Sequence, residues 1–177
     1  PAARAPTPVA LPPAPKIPAM PVILAIETSA HVGTVALLPD APQSDNAIVE
    51  IVRDDAKLSA WVLPAVERVL ARWGGHVGQI VAIAFGAGPG SFTGVRTACS
   101  TAQSLAYAWQ KPLLAVDSLD ALAQQAVNDC AQVTVALDAR MGEVYVASFM
   151  RQFEASGAPM QRMAATTVQH PSSVTLA

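Results

Sequence analysis

Cysteine is scarce in this sequence: Cys99 and Cys130 are the two in 177 residues. They lie far apart, in no metal or redox spacing, so they read as buried thiols of a reducing cytosol. Histidine is nearly as rare. His31, His76 and His170 fall in or beside loops without ligand spacing, so no metal site is expected. Aromatic residues make up 5% of the chain and charged residues 14%. The basic residues are scattered from Arg4 to Arg162, and the formal net charge is -2. Holding nucleic acid unaided takes a concentrated positive face that displaces counterions, and the sequence has none. No apolar run approaches the ~20 residues of a membrane-spanning helix, so a cytoplasmic protein without a membrane partner is expected. What is plentiful is apolar: 52% of residues, with Ala and Val dominant. That composition suits a globular α/β protein with room for one or two small lobes, and argues against a disordered chain.

Residues 1–19 alternate Pro and Ala around two lone positive charges. Such a tract favours extended conformations, has no face to bury and lacks the apolar core of a secretory signal. Residues 1–20 are therefore set aside as a disordered tail, with Met20 a candidate initiator. Val22–Ile26 reads as a buried strand, Gly33–Leu38 as its return, and Ala47–Arg53 as a third strand after the polar loop Pro39–Asn46. Apolar residues at helical spacing predict a helix from about Leu58 to Trp73, ended by Gly74-Gly75. Pro64 lies inside it, where a proline costs about 3 kcal/mol, so a start near Trp61 or a kink is expected. Gln79–Phe85 is apolar on both faces, as a central strand would be. A glycine-rich loop, Gly86–Gly90, leads into a helix from about Thr93 to Trp109. Leu113–Val116 is a short strand, and Asp117 or Ser118 caps a helix to about Val127.

That order matches a ribonuclease-H-like lobe, expected over residues 21–112. The pattern then restarts over 113–177. Val133–Leu137 and Glu143–Phe149 form a hairpin, Ala164–Val168 is a candidate third strand, and Pro171-Ser172-Ser173 a candidate helix start. The second lobe is expected to be incomplete, lacking its helix–strand–helix half. Arg140 and Glu143 flank the hairpin turn; a surface ion pair is the plain reading, and packing between the lobes stays open as the alternative.

The strongest local signal is Gly86-Ala87-Gly88-Pro89-Gly90-Ser91-Phe92-Thr93-Gly94-Val95-Arg96. Gly88 and Gly90 allow a sharp turn, and Ser91 and Thr93 stand where a helix start would offer amides to an anion. The loop lacks the Gly-Lys-Ser/Thr ending of a P-loop and the third glycine of a dinucleotide site. By spacing alone, a tight turn needed only for folding is the favoured reading. Glu27, Thr28 and Ser29 end the first strand. In actin-like kinases an acid and hydroxyls there serve the metal and phosphates of ATP, but alone such a trio is a common turn sequence.

Taken in order, ILAIETS (23–29), LP-x-V-x-x-VL (63–70), GAGPGSFTGVR (86–96), KPLLAVDSLDALA (111–123) and ALDARMGEVYVASF (136–149) resemble the TsaB (YeaZ) family. That family takes part in making threonylcarbamoyladenosine in tRNA. The resemblance implies a two-lobed actin-like (ASKHA) α/β fold and a non-catalytic subunit without a cofactor. It would pair with the catalytic paralogue TsaD, recruit the ATPase TsaE, form a homodimer when alone, and meet tRNA only through the complex. It places the partner surface on the two long helices, with Trp61, Ala65, Arg68, Val95, Cys99 and Ala102 as contacts. It makes Glu27, Thr28, Ser29, Gly88, Gly90, Ser91 and Thr93 a degenerate phosphate loop.

Three departures bear on chemistry. TsaD binds a metal through histidines, where this chain reads Asp117-Ser118-Leu119-Asp120-Ala121. Glu27 stands where the family more often has Asp. Ala56-Lys57-Leu58-Ser59 replaces a basic residue and histidine found in many relatives. The competing readings are an actin-like kinase or ATPase, which would draw on a complete second lobe, and a metallopeptidase, which needs ligands not found here.

Overall fold

Burial alternates along the first strand, β1 (Val22–Glu27): Val22, Leu24 and Ile26 are sealed on one face while the residues between them are half-buried. Period-two burial makes one face of a sheet a core. The computed structural model describes residues 21–39, 47–53, 58–151 and 159–174. The tail and the approach to the first helix, including Ala56 and Lys57, fall outside them, as does nearly all of the polar loop expected at Pro39–Asn46.

β1 pairs antiparallel with β2 (Gly33–Pro39), and β2 antiparallel with β3 (Ile48–Val52). On its other side β1 runs parallel to β4 (Ile80–Gly88), which runs parallel to β5 (Leu113–Asp117). The sheet order is β3-β2-β1-β4-β5. A boundary had been expected between residues 112 and 113, but the hydrogen-bonded sheet continues through β5. Leu113–Asp117 pairs in parallel with β4, from Ile83↔Leu113 to Gly88↔Asp117.

Two helices cover one face, α1 (Leu58–Trp73) and α2 (Phe92–Trp109). Val62, Ala65, Val66, Val69, Trp73, Ala98, Ala102 and Ala106 meet the buried side chains of β1, β2 and β4 in one apolar cluster. α1 starts at Leu58, not near Trp61, and carries Pro64 within it. Pro64 and Ala60 both lie on the exposed side, where solvent can bond the Ala60 carbonyl that proline leaves without its helical partner. The helix stops where Gly74, at φ 68°, donates its amide to Leu70 O at 3.0 Å.

Asp117 ends β5 and caps α3 (Ser118–Gln125), its carboxylate accepting from the Leu119 and Asp120 amides. The second sheet is a hairpin, β6 (Gln132–Arg140) and β7 (Glu143–Arg151), with two short strands on β7. β8 (Met160–Arg162) pairs with Phe149–Arg151, and β9 (Thr167–Gln169) with Val144–Val146. The strand expected at Ala164–Val168 begins only at Thr167, as β9, and β8 lies ahead of the expected range; the two pair with opposite ends of β7. Pro171–Ser173 forms one 3-10 turn, capped by His170, rather than opening an α-helix. Arg140 pairs with Asp138 at 3.7 Å instead of with Glu143. The Arg140 amide also donates to that carboxylate, which draws the pair onto one strand.

Glu50 of β3 faces α1 and meets Arg68 at 3.1 Å and Arg72 at 2.9 Å. Partial burial pushes its pKa up, but the hydrogen bonds and charges of the two arginines outweigh this and leave it below the ordinary glutamate value. A carboxylate lowered on folding stabilises the protein above its unfolded pKa of about 4.3 and loses that contribution as pH falls through the folded value. Glu50→Gln should cost about 1 kcal/mol or less at pH 7, since both arginines are half exposed. Thermal unfolding should show that deficit shrinking below about pH 4.

Candidate functional site

The β1–β2 turn and the start of α2 are built into each other. Thr28 is 0% exposed and donates its hydroxyl to the Gly94 carbonyl at 2.6 Å. Ser91 donates its amide to the Ser29 carbonyl at 2.7 Å, and its own hydroxyl accepts from the Gly94 amide at 3.4 Å as the α2 N-cap. The Glu27 carboxylate accepts the amide of Ser29. Such close backbone approach leaves no room for side chains. A Cβ on Gly90 would stand 2.7 Å from the Ser29 carbonyl oxygen, and one on Gly94 would overlap the Thr28 carbonyl. Gly88 takes φ +86°, a conformation costly for any other residue.

Of the residues expected as a degenerate phosphate loop, Glu27, Thr28, Ser29, Gly90 and Ser91 meet at one junction, while Gly88 packs beside Val95 at its edge. Their polar groups are largely turned on each other. Thr28 is sealed, Ser29 is buried, and the amides of Ser91 and Gly94 are engaged within the chain. Thr93 is exposed on the first turn of α2 and stands apart from the junction. Gly94 was missed as a site residue because its role depends on a neighbour 66 residues away in sequence.

Beside the junction lies a cleft of about 380 Å³ between the two sheets. Glu27, Ser29, His31 and Ser91 line one side, Ser118, Leu122 and Gln125 of α3 another, and Asp138 and Arg140 of the hairpin a third. The hydroxyls of Ser29 and Ser118 stand 3.5 Å apart across it. Arg140 is the cleft's lysine or arginine, and Asp138 already pairs with it. An anion entering here would meet Glu27 and Asp138 as well, a poor balance for a polyphosphate. The α3 and hairpin residues escaped sequence reasoning, since only the fold brings the two sheets' ends together. Of the histidines, His31 lines the cleft, His76 precedes the 3-10 turn before β4, and His170 caps the last turn. Among the described residues no three His, Cys, Asp or Glu side chains converge as a metal site.

The six expected partner contacts divide in two. Ala65 and Ala102 are fully buried in the chain's own core, so they are closed to any partner: each faces the sheet from its helix. Trp61, Val95 and Cys99 are half-buried, and Arg68 is exposed while paired with Glu50. Much of the apolar width of α1 is likewise internal, Val66 and Trp73 being buried. What remains outside includes Leu63 at 50%, Phe92 at 69% and Tyr107 at 90% exposed.

The chain is similar to known proteins. The family model for TsaD, tRNA N6-adenosine threonylcarbamoyltransferase, matches residues 55–176. Two solved structures from Pseudomonas aeruginosa superpose on the chain, each at 37% identity and over 88% of it. "YeaZ from Pseudomonas aeruginosa" has a TM-score of 0.76 and is covered over 70% of its length. The other, described as similar to peptidase YEAZ, has a TM-score of 0.77 and is covered over 69%. The chain belongs to the TsaB (YeaZ) family. Among curated relatives, the tRNA threonylcarbamoyladenosine biosynthesis proteins TsaB of Escherichia coli and Haemophilus influenzae are 40% and 38% identical. Each match takes in 73% of this chain. The chain spans just over half the length of these relatives, 55% and 54%.

The interlock makes its own prediction. Gly94→Ala should lower the urea midpoint clearly, by overpacking worth about 1–3 kcal/mol, whereas Gly78→Ala, which meets nothing within 4 Å, should not. Thr28→Val keeps the shape but removes the second donor of the Gly94 carbonyl, which retains its helical partner, a loss of about 0.5–1.5 kcal/mol in the same titration.

Proposed function

We propose that this chain serves threonylcarbamoyladenosine formation in tRNA as a supporting subunit rather than as the catalyst. The fold would be the ribonuclease-H-like, actin-like (ASKHA) lobe, with the start of a second one. The β3-β2-β1-β4-β5 order with β2 reversed supports that reading. The observation that carries the functional part is the closed junction. In an ATP-splitting relative, the first turn and the glycine loop would hold their polar groups toward phosphate. Here Thr28, Ser91 and Gly94 spend theirs on each other.

A frame built this way works by its surface. Its partner is the transferase TsaD, with TsaE joining the assembly in the cytoplasm and tRNA meeting the chain only there. Without TsaD, a second copy of the chain takes the same face. That face is the outer side of α1 and α2, where Leu63 is exposed beside half-buried Trp61, and where Ser100 and Ser104 keep the surface of α2 low. Small side chains allow a partner helix to approach closely, and an exposed apolar side chain gives it something to bury.

Leu63→Glu or Ser100→Glu places a charge at the centre of this face without touching the core. Either variant should keep the wild-type unfolding temperature and lose co-purification with TsaD, by tenfold or more if the position is a hot spot of about 1.4 kcal/mol or above. Undiminished recovery of TsaD with both would refute the interface.

A further inference from the structure

The two sheets carry separate apolar cores, and a polar latch joins them. One core lies between α1, α2 and the five-stranded sheet; the other gathers Leu119 and Ala123 of α3 with Val135, Ala147, Phe149 and Met160. Helix α3 belongs to the second core, yet its cap, Asp117, is the last residue of the first sheet. The side of α3 bearing Ser118, Leu122 and Gln125 forms a wall of the cleft.

What fixes that wall comes from β8, a strand of three residues. The Arg162 Nη2 lies 2.8 Å from the Asp117 carboxylate and 2.7 Å from that of Asp120, while Nε donates to Asp120 at 3.0 Å. Nη1 donates to the Thr166 hydroxyl, and the guanidinium lies 5.1 Å from the centre of the Phe149 ring. At the other end of β8, the Gln124 amide pairs with the Met160 backbone in both directions, at 3.0 and 3.1 Å. β8 is thus fastened to α3 at both ends. Partial burial works against the charge of Arg162, but Asp120 and Asp117 outweigh it and raise its pKa.

We propose that Arg162 is a latch that closes β8 over α3 and so sets the position of the cleft wall. An arginine suits the task, because its fork reaches two carboxylates and a hydroxyl at once while its flat face rests on a ring. The latch is also openable. Asp117 and Asp120 are 35% and 47% exposed, so solvent competes for both. Opening it lets β8 leave α3, uncovers the second core and frees the wall, while the first core stays closed.

The chain's two cysteines report this directly. Cys130 packs against the second core just after α3, and Cys99 sits on α2; both are half-buried. In Arg162→Met, a chromogenic thiol reagent should label Cys130 about tenfold faster, the loss of a charged hydrogen bond, with Cys99 unchanged. Amide exchange over 119–125 should rise with it. Arg162→Lys, which keeps the charge and loses the fork, should fall between. Asp120→Asn removes one carboxylate and should shift Cys130 the same way, and it carries the test if Arg162→Met does not fold. Equal acceleration of both thiols would mean a general loss of stability and overturn the latch, as would no change at Cys130.

Discussion

The close approach of two backbone segments organises everything else in this molecule. The β1–β2 turn and the start of α2 touch through carbonyls and amides, with the Thr28 hydroxyl bridging them at 2.6 Å and two glycines leaving room. Because β1 lies at the centre of the sheet and α2 covers it, this contact fixes the helix against the strands. It also sets the floor of the cleft and decides which polar groups remain for a ligand. Hydrogen bonds made inside the protein are unavailable outside it, and a buried carbonyl left without a donor is costly. One interaction therefore bears both on stability and on which polar groups are left facing the cleft.

The same economy appears in the helices. α1 has apolar residues around much of its girth, which in isolation suggests a partner on each side. Most of that width is consumed by the sheet, leaving a narrow outer strip with Leu63 as its main apolar feature. Proline is tolerated in this helix because it lies on that outer side, where water can replace the missing bond.

Much of this architecture could be read from residues alone. Runs such as Val22–Ile26 and Gln79–Phe85, and the helical spacing from Val62 to Trp73, located the central strands and α1 because burial leaves a periodic trace. Capping chemistry located α3, since Asp117 precedes a helix as caps do. Where reading failed, the cause was long range. Nothing local assigns β5 to the first sheet, or splits residues 160–169 between two ends of β7. Helical periodicity marks a buried stripe without saying whether the chain or a partner covers it, so it could not correct the resemblance, which put Ala65 and Ala102 on an interface. The glycine motif was legible as a turn; that its tightness serves Thr28 and Ser29 became visible only in three dimensions.

The proposed supporting role makes the chain dependent on another protein for its chemistry. The most direct test is a reconstituted assay of threonylcarbamoyladenosine on tRNA, with the chain, TsaD and TsaE each omitted in turn. The account predicts that product requires both this chain and TsaD, and that the chain without TsaD forms none. Product made by this chain in the absence of TsaD would contradict it, and so would a TsaD whose rate is indifferent to the chain.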